Sequence, residues 1–284
     1  MNSTPKNTKP NTDKAESGSD LPILPDRQVL PDGRVADSPQ PKEAETVAQD
    51  PELKGMVSPT SSPLEMVAWG LKRFASQNSV MTTSFGMEGC ALIDMCSKAI
   101  AENDLPPLKV AWIDTGFFFP ETHQVRTKLE EKYSNIEIVK WETSVSVQQQ
   151  ADDYGPELWK NNPNLCCHIR KVLPMKSNVA GHDLWITALR RSQTESRSQT
   201  EVLSWDWRYQ LLKFCPMATW TRPQVWEYIQ KNDVPFNQLH LQNYPSISCF
   251  HCTHSVPGST PDSDARDGRW EGKDKDECGL HFSI

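Results

Sequence analysis

From residue 62 onward, short apolar runs alternate with segments of helical periodicity. Buried β-strands are predicted at 80–85, 108–113, 136–140 and 184–188. Amphipathic helices are predicted at 63–75, 88–101 and 120–133, the first with Ser62 as N-cap and Pro63 at the first helical position. Because strands separated by helix-length segments need crossover connections, the pattern indicates an α/β fold with a doubly wound, mostly parallel sheet and helices on both faces.

The first 60 residues have a different pattern. They contain no Phe, Trp or Tyr and hold nine of the 22 prolines of the chain. Such a segment buries too little apolar area to offset its ordering entropy. We therefore expect a disordered tail at 1–60, a folded domain at 61–256 and a polar, mobile C-terminal segment at 257–284.

Composition narrows the classes of function. A formal net charge of -7 over 284 residues argues against a general nucleic-acid surface. The chain contains no apolar run of about 18 residues, so no contact with a membrane is expected, and its polar start lacks the apolar core of a signal peptide. These features predict a cytoplasmic protein.

The turns after the strands carry candidate ligand-binding residues, because parallel α/β sheets bind ligands at the carboxyl ends of their strands. Hydroxyls, glycines and charged groups follow three of the four strands, at Thr83, Ser84, Gly86 and Glu88, at Asp114 and Thr115, and at Arg190 and Arg191. They can cradle an anionic group such as a phosphate. A plain strand–helix turn, a capping aspartate and a solvated basic face are the alternatives. The first turn lacks the Lys-Ser/Thr ending of a P-loop.

Five of the eight cysteines have informative positions. Cys166 and Cys167 are adjacent, Cys249 and Cys252 form a C-x-x-C pair, and Cys278 stands alone in a Glu-Cys-Gly-Leu-His sequence near the C-terminus. Two pairs of thiolates can hold an iron–sulfur cluster or zinc, and a disulfide is a further alternative. Cys278 is free to react. The remaining cysteines, 90, 96 and 215, are expected to be small buried apolar residues.

Several motifs in this order resemble those of the assimilatory adenylyl-sulfate (APS) reductases, relatives of the phosphoadenylyl-sulfate (PAPS) reductases. They are Thr-Ser-Phe-Gly-Met-Glu at 83–88, Ile-Asp-Thr-Gly at 113–116, Cys-Cys-His-Ile-Arg-Lys at 166–171, Leu-Arg-Arg at 189–191, Tyr-Pro-Ser-Ile at 244–247, the C-x-x-C pair and Glu-Cys-Gly-Leu-His at 277–281. The resemblance covers about residues 65 to 284. It implies an adenine-nucleotide alpha-hydrolase-like fold with the nucleotide in the domain at 61–256.

The resemblance also implies a reaction in sulfate assimilation. Cys278 attacks the sulfur of adenosine 5'-phosphosulfate, AMP leaves, and reduced thioredoxin or a glutaredoxin-like donor frees sulfite from the S-sulfocysteine. His281, Arg266 and Arg269 are the candidates for neutralising charge, and Lys171 lies between cluster and substrate. One 4Fe-4S cluster is implied at Cys166, Cys167, Cys249 and Cys252. A homo-oligomer is compatible with the sequence.

Alternatives stay open beside this interpretation. A PAPS reductase that retains the cluster would differ in accepting a 3'-phosphate, and a zinc-stapled nucleotide-binding module would lack catalysis. The chain also departs from the family pattern: Ser248 stands where glycine is usual before Cys249, and His254 stands where arginine is common. A longer loop between Cys252 and Arg266 affects the finer substrate contacts.

Overall fold

The structure is a computed structural model that describes residues 46–58, 60–263 and 266–281. A six-stranded sheet forms its centre, with the order β3-β2-β1-β4-β6-β5. The strands are β1 (Ser79–Thr83), β2 (Leu108–Asp114), β3 (Ile136–Glu142), β4 (Leu184–Ile186), β5 (Leu203–Asp206) and β6 (Leu211–Phe214). Five strands run parallel, and β5 pairs antiparallel with β6 at one edge.

Nine α-helices are described between and around the strands. They are α1 (Pro51–Met56), α2 (Pro63–Arg73), α3 (Met87–Asn103), α4 (Pro120–Lys132), α5 (Val147–Tyr154), α6 (Leu158–Asn161), α7 (Pro163–Cys167), α8 (Leu173–Val179) and α9 (Arg222–Lys231). A π-helical turn (His168–Val172) joins α7 to α8, and 3₁₀ turns lie at Ser76–Asn78, Arg191–Gln193, Glu195–Arg197, Gln238–Gln242 and Phe250–Cys252.

Helix ends follow the local sequence. Ser62 caps α2 by accepting a hydrogen bond from the Leu64 amide, and proline occupies the first position of α2, where the missing N–H costs nothing. Helix α9 begins with a capping box between Thr221 and Gln224. The long helix α3 has Gly86 as its N-cap with no side-chain cap, so its first amides face the loop after β1.

Apolar side chains cover both faces of the sheet. Met81, Ile186 and Phe214 project from successive strands into the larger core, which also holds the apolar sides of α2, α3 and α9. Their neighbours Val80 and Trp185 project into a second core against α8. Because adjacent strand residues face opposite ways, both faces need a helical cover. The predicted doubly wound α/β fold is confirmed.

The four predicted strands are present, but two further strands were missed. The hairpin β5–β6 has the sequence Leu-Ser-Trp-Asp-Trp-Arg-Tyr-Gln-Leu-Leu-Lys-Phe, in which charged and polar residues obscure the alternation. The first predicted strand ends at Thr83 rather than at Phe85, because Phe85 takes a left-handed conformation with φ of 56°. The fourth ends at Ile186, two residues earlier than predicted.

The packed chain begins earlier than the predicted boundary at residue 61. Helix α1 lies in the interval assigned to the tail, and its Leu53 is buried in the larger core. The Asp50 carboxylate caps this helix, while Trp220 donates from its indole to the Ser61 carbonyl and ties the following residues down. Burial of one leucine and these hydrogen bonds hold a short helix that composition alone does not predict. Residues 1–45 of the predicted tail lie outside the described residues.

None of the described helices combines the length and the apolar character needed to cross a bilayer.

Candidate active site

A cavity of about 170 Å³ lies at the carboxyl ends of β1 and β4. These strands are neighbours at the centre of the sheet, where the chain order reverses from β3-β2-β1 to β4-β6-β5. A crevice forms at such a point because the connections on its two sides leave in opposite directions. The predicted residues that line it are Thr83, Ser84, Gly86, Glu88, Lys171, Arg190, Arg266, Arg269, Cys278 and His281.

The loop after β1 turns sharply into α3. The Thr83 hydroxyl accepts a hydrogen bond from the Phe85 amide at 2.9 Å, and Gly89 packs so close that a Cβ would lie 2.3 Å from the Thr83 oxygen. Only glycine fits there. The amides at the start of the 17-residue helix α3 and the Ser84 hydroxyl therefore lie at the cavity wall, where they suit an anionic group.

A buried carboxylate holds two arginines at the cavity. Glu88 accepts hydrogen bonds from Arg190 at 2.9 and 3.1 Å and from Arg222 at 2.8 Å. Burial alone would raise the pKa of Glu88, but the charges of Arg222 and Arg190 lower it far below its usual range. One carboxylate and two guanidiniums together carry one net positive charge. This charge favours an anionic ligand in the cavity.

Three of the predicted binding residues lie elsewhere. Arg191 is exposed and donates to the Thr200 carbonyl at 2.8 Å. The Asp114 carboxylate accepts from the Gly116 amide at 2.9 Å and so stabilises its own turn. Thr115 is fully buried with its hydroxyl 3.2 Å from the Cys249 sulfur. None of the three lines the cavity, and for Asp114 the alternative of a capping aspartate describes the structure.

The C-terminal segment brings Cys278 to the cavity. Glu277 is buried and paired with Arg197, whose Nε and Nη2 donate to its two oxygens at 2.5 and 2.8 Å. The Arg266 guanidinium lies 3.9 Å from the same carboxylate. Burial would raise the pKa of Glu277, but these arginines lower it. Cys278 is 8% exposed and lines the cavity.

Cations surround the Cys278 sulfur. Burial opposes its ionisation, but the charges of Lys171 and Arg266 and a hydrogen bond from the Leu280 amide lower the pKa of Cys278 below the ordinary value of a thiol. By contrast, burial raises the pKa of Cys215 to about 11. Lys171 is buried as well, and its ammonium donates to the Ser248 hydroxyl at 3.1 Å. Ser248, the departure from the usual glycine, is therefore a partner of the predicted active-site lysine.

His281 is held as a flat neutral ring. Its imidazole stacks on the indole of Trp185, with 5.0 Å between ring centroids and 9° between planes. Burial lowers its pKa well below the usual range, and the positive charges of Lys213 and Arg197 lower it further. The lowered pKa favours the neutral ring, which can act through shape and hydrogen bonding; the role of His281 in neutralising charge stays a prediction.

Arg266 and Arg269 both flank one indole. Their guanidiniums lie 5.4 and 4.4 Å from the ring centre of Trp270, which is buried. Arg269 also donates to the Cys252 carbonyl at 2.9 Å and pairs by backbone with Thr253. The two arginines thereby link the C-terminal segment to the loop that carries the C-x-x-C pair.

The four paired cysteines share one buried apolar cluster with Phe117, Trp270 and Cys278. All four are free thiols, and Gln150 directs its amide toward the Cys166 sulfur at 3.9 Å. The π-helical turn that follows Cys167 is a rare element, frequent at functional sites. Within the described ranges, no three His, Cys, Asp or Glu side chains are arranged to hold a single metal ion. The disulfide alternative is not observed among the described cysteines.

Two cavity residues had no signal in the sequence. Arg222 begins α9, far along the chain from Arg190. His240 also lines the cavity; its Nδ1 lies 2.7 Å from the Tyr244 carbonyl, and burial lowers its pKa to about 4. Only the fold brings these groups together, since none belongs to a local motif.

Residues 78–255 match the model of the phosphoadenosine phosphosulfate reductase domain. This interval contains the sheet, the loop after β1 and all four paired cysteines. The chain belongs to the phosphoadenosine phosphosulfate reductase family. The resemblance inferred from the motifs is therefore confirmed as membership of this family. The prediction that the chain is an oxidoreductase is confirmed as well.

Curated members of this reductase family align over most of the chain. An adenosine 5'-phosphosulfate reductase of Lysinibacillus sphaericus is 42% identical over 218 residues, which are 77% of this chain and 90% of the relative. An adenosine 5'-phosphosulfate reductase of Bacillus anthracis is 39% identical over 223 residues, 78% of this chain and 95% of the relative. The shared region therefore extends well beyond any one motif.

Solved structures agree with this family assignment. The phosphoadenylyl-sulfate (PAPS) reductase of Candida auris, solved as a phosphate complex, has a TM-score of 0.60 and 28% sequence identity, covering 76% of this chain and 97% of that one. An FMN adenylyltransferase of Candida glabrata has a TM-score of 0.51 at 11% identity, covering 75% of this chain and 70% of that one. The second likeness concerns the fold alone.

Proposed function

We propose that this reductase converts adenosine 5'-phosphosulfate to sulfite and AMP, with Cys278 as the nucleophile and reduced thioredoxin or a glutaredoxin-like protein as the thiol donor. The observation that carries the proposal is the presence of Cys278 and of the anion-binding loop after β1 in one cavity. Both curated relatives described above are named for the same activity. We also propose a cytoplasmic location, because eight free thiols suit a reducing compartment.

The charges of the cavity suit a sulfonucleotide. Arg190 and Arg222 on Glu88, together with the amides of α3, favour the phosphate at one end. Lys171, Arg266 and Arg269 favour the sulfate near Cys278. Guanidiniums fork onto tetrahedral oxyanions, so they can hold the ground state and the charge that develops as the phosphate leaves.

The first step forms one bond and breaks one. The Cys278 thiolate attacks the sulfur of the substrate, and the bond from that sulfur to the phosphate oxygen breaks with its electron pair leaving on AMP. Cys278 then carries an S-sulfonate. A thiolate suits this role because it is the strongest soft nucleophile that a protein offers, and the cations near Cys278 lower the pKa of its thiol and so favour the thiolate.

The second step consumes two thiols. One thiolate of the donor attacks the Cys278 sulfur and displaces sulfite, so that a mixed disulfide forms. The second donor thiolate then attacks the donor sulfur of this mixed disulfide. Cys278 leaves as a thiolate, and the donor keeps a disulfide between its two cysteines. Because Cys278 is only 8% exposed, the segment at 277–281 must move outward before a protein thiol reaches it.

The four paired cysteines fit a 4Fe-4S cluster. They are reduced and buried together, and Thr115 offers a hydrogen-bond contact to the Cys249 sulfur. Thiolates are the ligands of such clusters, and an adjacent pair beside a C-x-x-C pair supplies four. Once bound, the cluster would supply a redox-capable group that ties α7 to the loop at 249–252. Arg269 and Lys171 then connect this region to the substrate cavity through Cys252 and Ser248.

The decisive experiment measures sulfite formed from APS with reduced thioredoxin, and compares APS with PAPS at equal concentrations. We expect sulfite from APS with a clear preference over PAPS. In the Cys278→Ser variant we expect sulfite to fall below detection while AMP binding stays within about twofold, because a hydroxyl is a far weaker nucleophile. Cys215→Ala, a change at a buried thiol outside the cavity, is the matched control and should keep most of the activity.

Two outcomes would overturn parts of this proposal. Comparable or faster turnover of PAPS would reassign the substrate. Stoichiometric zinc without iron or acid-labile sulfide in protein purified without oxygen would replace the cluster by a zinc site, and if the same protein formed no sulfite it would be a nucleotide-binding module.

A further inference from the structure

The side chain of Arg208 reaches the backbone beside Cys278. Arg208 lies in the turn of the β5–β6 hairpin, outside the cavity wall. Its Nη1 donates to the Gly279 carbonyl at 3.0 Å, and its Nη2 donates to the Leu280 carbonyl at 3.1 Å. One guanidinium thus binds two successive carbonyls of the Glu-Cys-Gly-Leu-His sequence.

The Gly279 carbonyl belongs to the same peptide unit as the Leu280 amide. This peptide follows Cys278 by one residue, so its orientation affects the backbone that carries the sulfur. In a planar trans peptide the C=O and the N–H point in opposite directions, so a donor that fixes the oxygen also fixes the direction of the N–H. Gly279, with φ of 84°, supplies the left-handed turn that the backbone takes directly after Cys278.

A carboxylate of the same hairpin orients the Arg208 side chain. The Asp206 carboxylate accepts from the Arg208 amide at 3.0 Å and from its Nη2 at 3.3 Å. Asp206 is buried, whereas the Arg208 side chain is one-third exposed. Lys213 lies 4.0 Å from the same carboxylate and donates to the His281 carbonyl at 3.4 Å. Three carbonyls in a row, from 279 to 281, therefore bind cations of one hairpin.

We propose that Arg208 is a positioning residue for Cys278: by binding the Gly279 and Leu280 carbonyls it fixes the backbone that places the sulfur at the cavity. This inference rests on the proposed function in so far as Cys278 is the nucleophile. Arg208 itself does not line the cavity. A cation on the carbonyl oxygen also polarises the peptide and strengthens the opposite N–H as a donor. Loss of the guanidinium frees the peptide to rotate.

The chain offers a matched control in Arg126. It too is partly exposed, pairs with a nearby carboxylate at Glu130, and lies over an aromatic ring, that of Trp112. Arg208 has the same features with Asp206 and Tyr209. The two arginines differ in that Arg208 alone of this pair holds the carbonyls beside Cys278.

The test compares Arg208→Gln, Arg208→Lys and Arg126→Gln in the full-length reductase. We expect Arg208→Gln to lower kcat about tenfold with KM for APS within twofold, because the two charge-assisted hydrogen bonds that hold the backbone beside Cys278 are lost while the substrate contacts stay. Arg208→Lys should recover part of kcat, since an ammonium can hold one carbonyl. Arg126→Gln should match the wild type. An unchanged kcat in Arg208→Gln, or an equal loss in Arg208→Lys and Arg208→Gln with a rise in KM, would overturn the inference.

Hydrogen exchange separates this inference from the proposed function, since it needs no substrate. Amide exchange in a C-terminal peptide that contains residues 279–281 should be about tenfold faster in Arg208→Gln than in the wild type and unchanged in Arg126→Gln. Faster exchange supports the positioning role even if the wild-type protein forms no sulfite. Equal exchange in all proteins overturns it, whatever their activity.

Discussion

The carboxylate of Glu277 accepts two hydrogen bonds from the guanidinium of Arg197, at 2.5 Å from Nε and at 2.8 Å from Nη2. Both side chains are about 95% or more buried. The pair joins a C-terminal segment to the 3₁₀ turn after β4, and Glu277 is the immediate neighbour of Cys278. A fork between arginine and carboxylate fixes distance and orientation together, so this contact sets where Cys278 lies relative to the cavity.

Removal of either partner should therefore destabilise the fold and displace Cys278. We expect Glu277→Gln and Arg197→Met each to lower the free energy of unfolding by about 3 kcal/mol, because each leaves a buried charge without its partner. The double variant should cost less than the sum of the two single variants. Urea unfolding measures all three values.

The exposed pair Lys140 and Glu142 is the control for this experiment. Its atoms lie 2.9 Å apart, but both side chains are about half exposed. Neutralisation of Glu142 should leave the urea midpoint close to that of the wild type, since water screens the pair. If breaking the Glu277–Arg197 pair lowered the free energy of unfolding no more than breaking this exposed pair, the buried pair would not be what holds Cys278 in place.

Neighbouring arginines after β4 should behave differently. Arg190→Ala removes two hydrogen bonds to Glu88 at the cavity, and we expect AMP affinity to fall at least about tenfold. Arg191→Ala removes one hydrogen bond to the Thr200 carbonyl outside the cavity and should leave AMP affinity within about twofold. Titration calorimetry with AMP measures both. Equal losses would mean that the loop moves Arg191 into the site.

The sequence could predict that Arg190 lies at the ligand-binding edge of the sheet, but not that Arg191 points away from it. Turns after parallel strands meet at one edge of the sheet, which made Thr83, Glu88 and Arg190 sound candidates. Arg190 and Arg191 are consecutive, however, and the backbone direction at the end of β4 decides which one points inward. The residues after β4 form a turn without a hydrophobic pattern, so the sequence does not indicate the direction of either side chain.

Contacts between segments that are far apart in the sequence could not be predicted either. Arg222 and Arg208 come from two separate segments and bind Glu88 and the carbonyls beside Cys278 only because the sheet brings their segments together. The motifs singled out five cysteines, and the fold brings all five into one buried cluster. The neutral state of His281 could not be predicted, because burial and neighbouring cations set its pKa.

Iron content should depend on the paired cysteines and not on the isolated ones. Cys249→Ser removes a proposed ligand, and we expect iron and acid-labile sulfide to fall by at least half, because a hydroxyl is a poor substitute for a thiolate. Cys96→Ala alters a fully buried thiol in α3 and should retain both. Metal and sulfide analysis after purification without oxygen gives the values. Full iron content in Cys249→Ser would exclude this residue as a ligand.

Acid should unfold the protein in part through Glu88. Its folded pKa lies below its ordinary value near 4.5, so its ion pairs contribute stability that is complete above about pH 4.5 and is lost as the pH falls toward the folded pKa. In Glu88→Gln the arginine pair keeps no counter-charge, which lowers stability at pH 7 by about 3 kcal/mol and removes one proton-binding group. The decline in urea midpoint between pH 4.5 and pH 3 should consequently be shallower in this variant than in the wild type, whereas Glu142→Gln should follow the wild type. Parallel curves for Glu88→Gln and the wild type would show that Glu88 binds its proton equally in the folded and the unfolded chain.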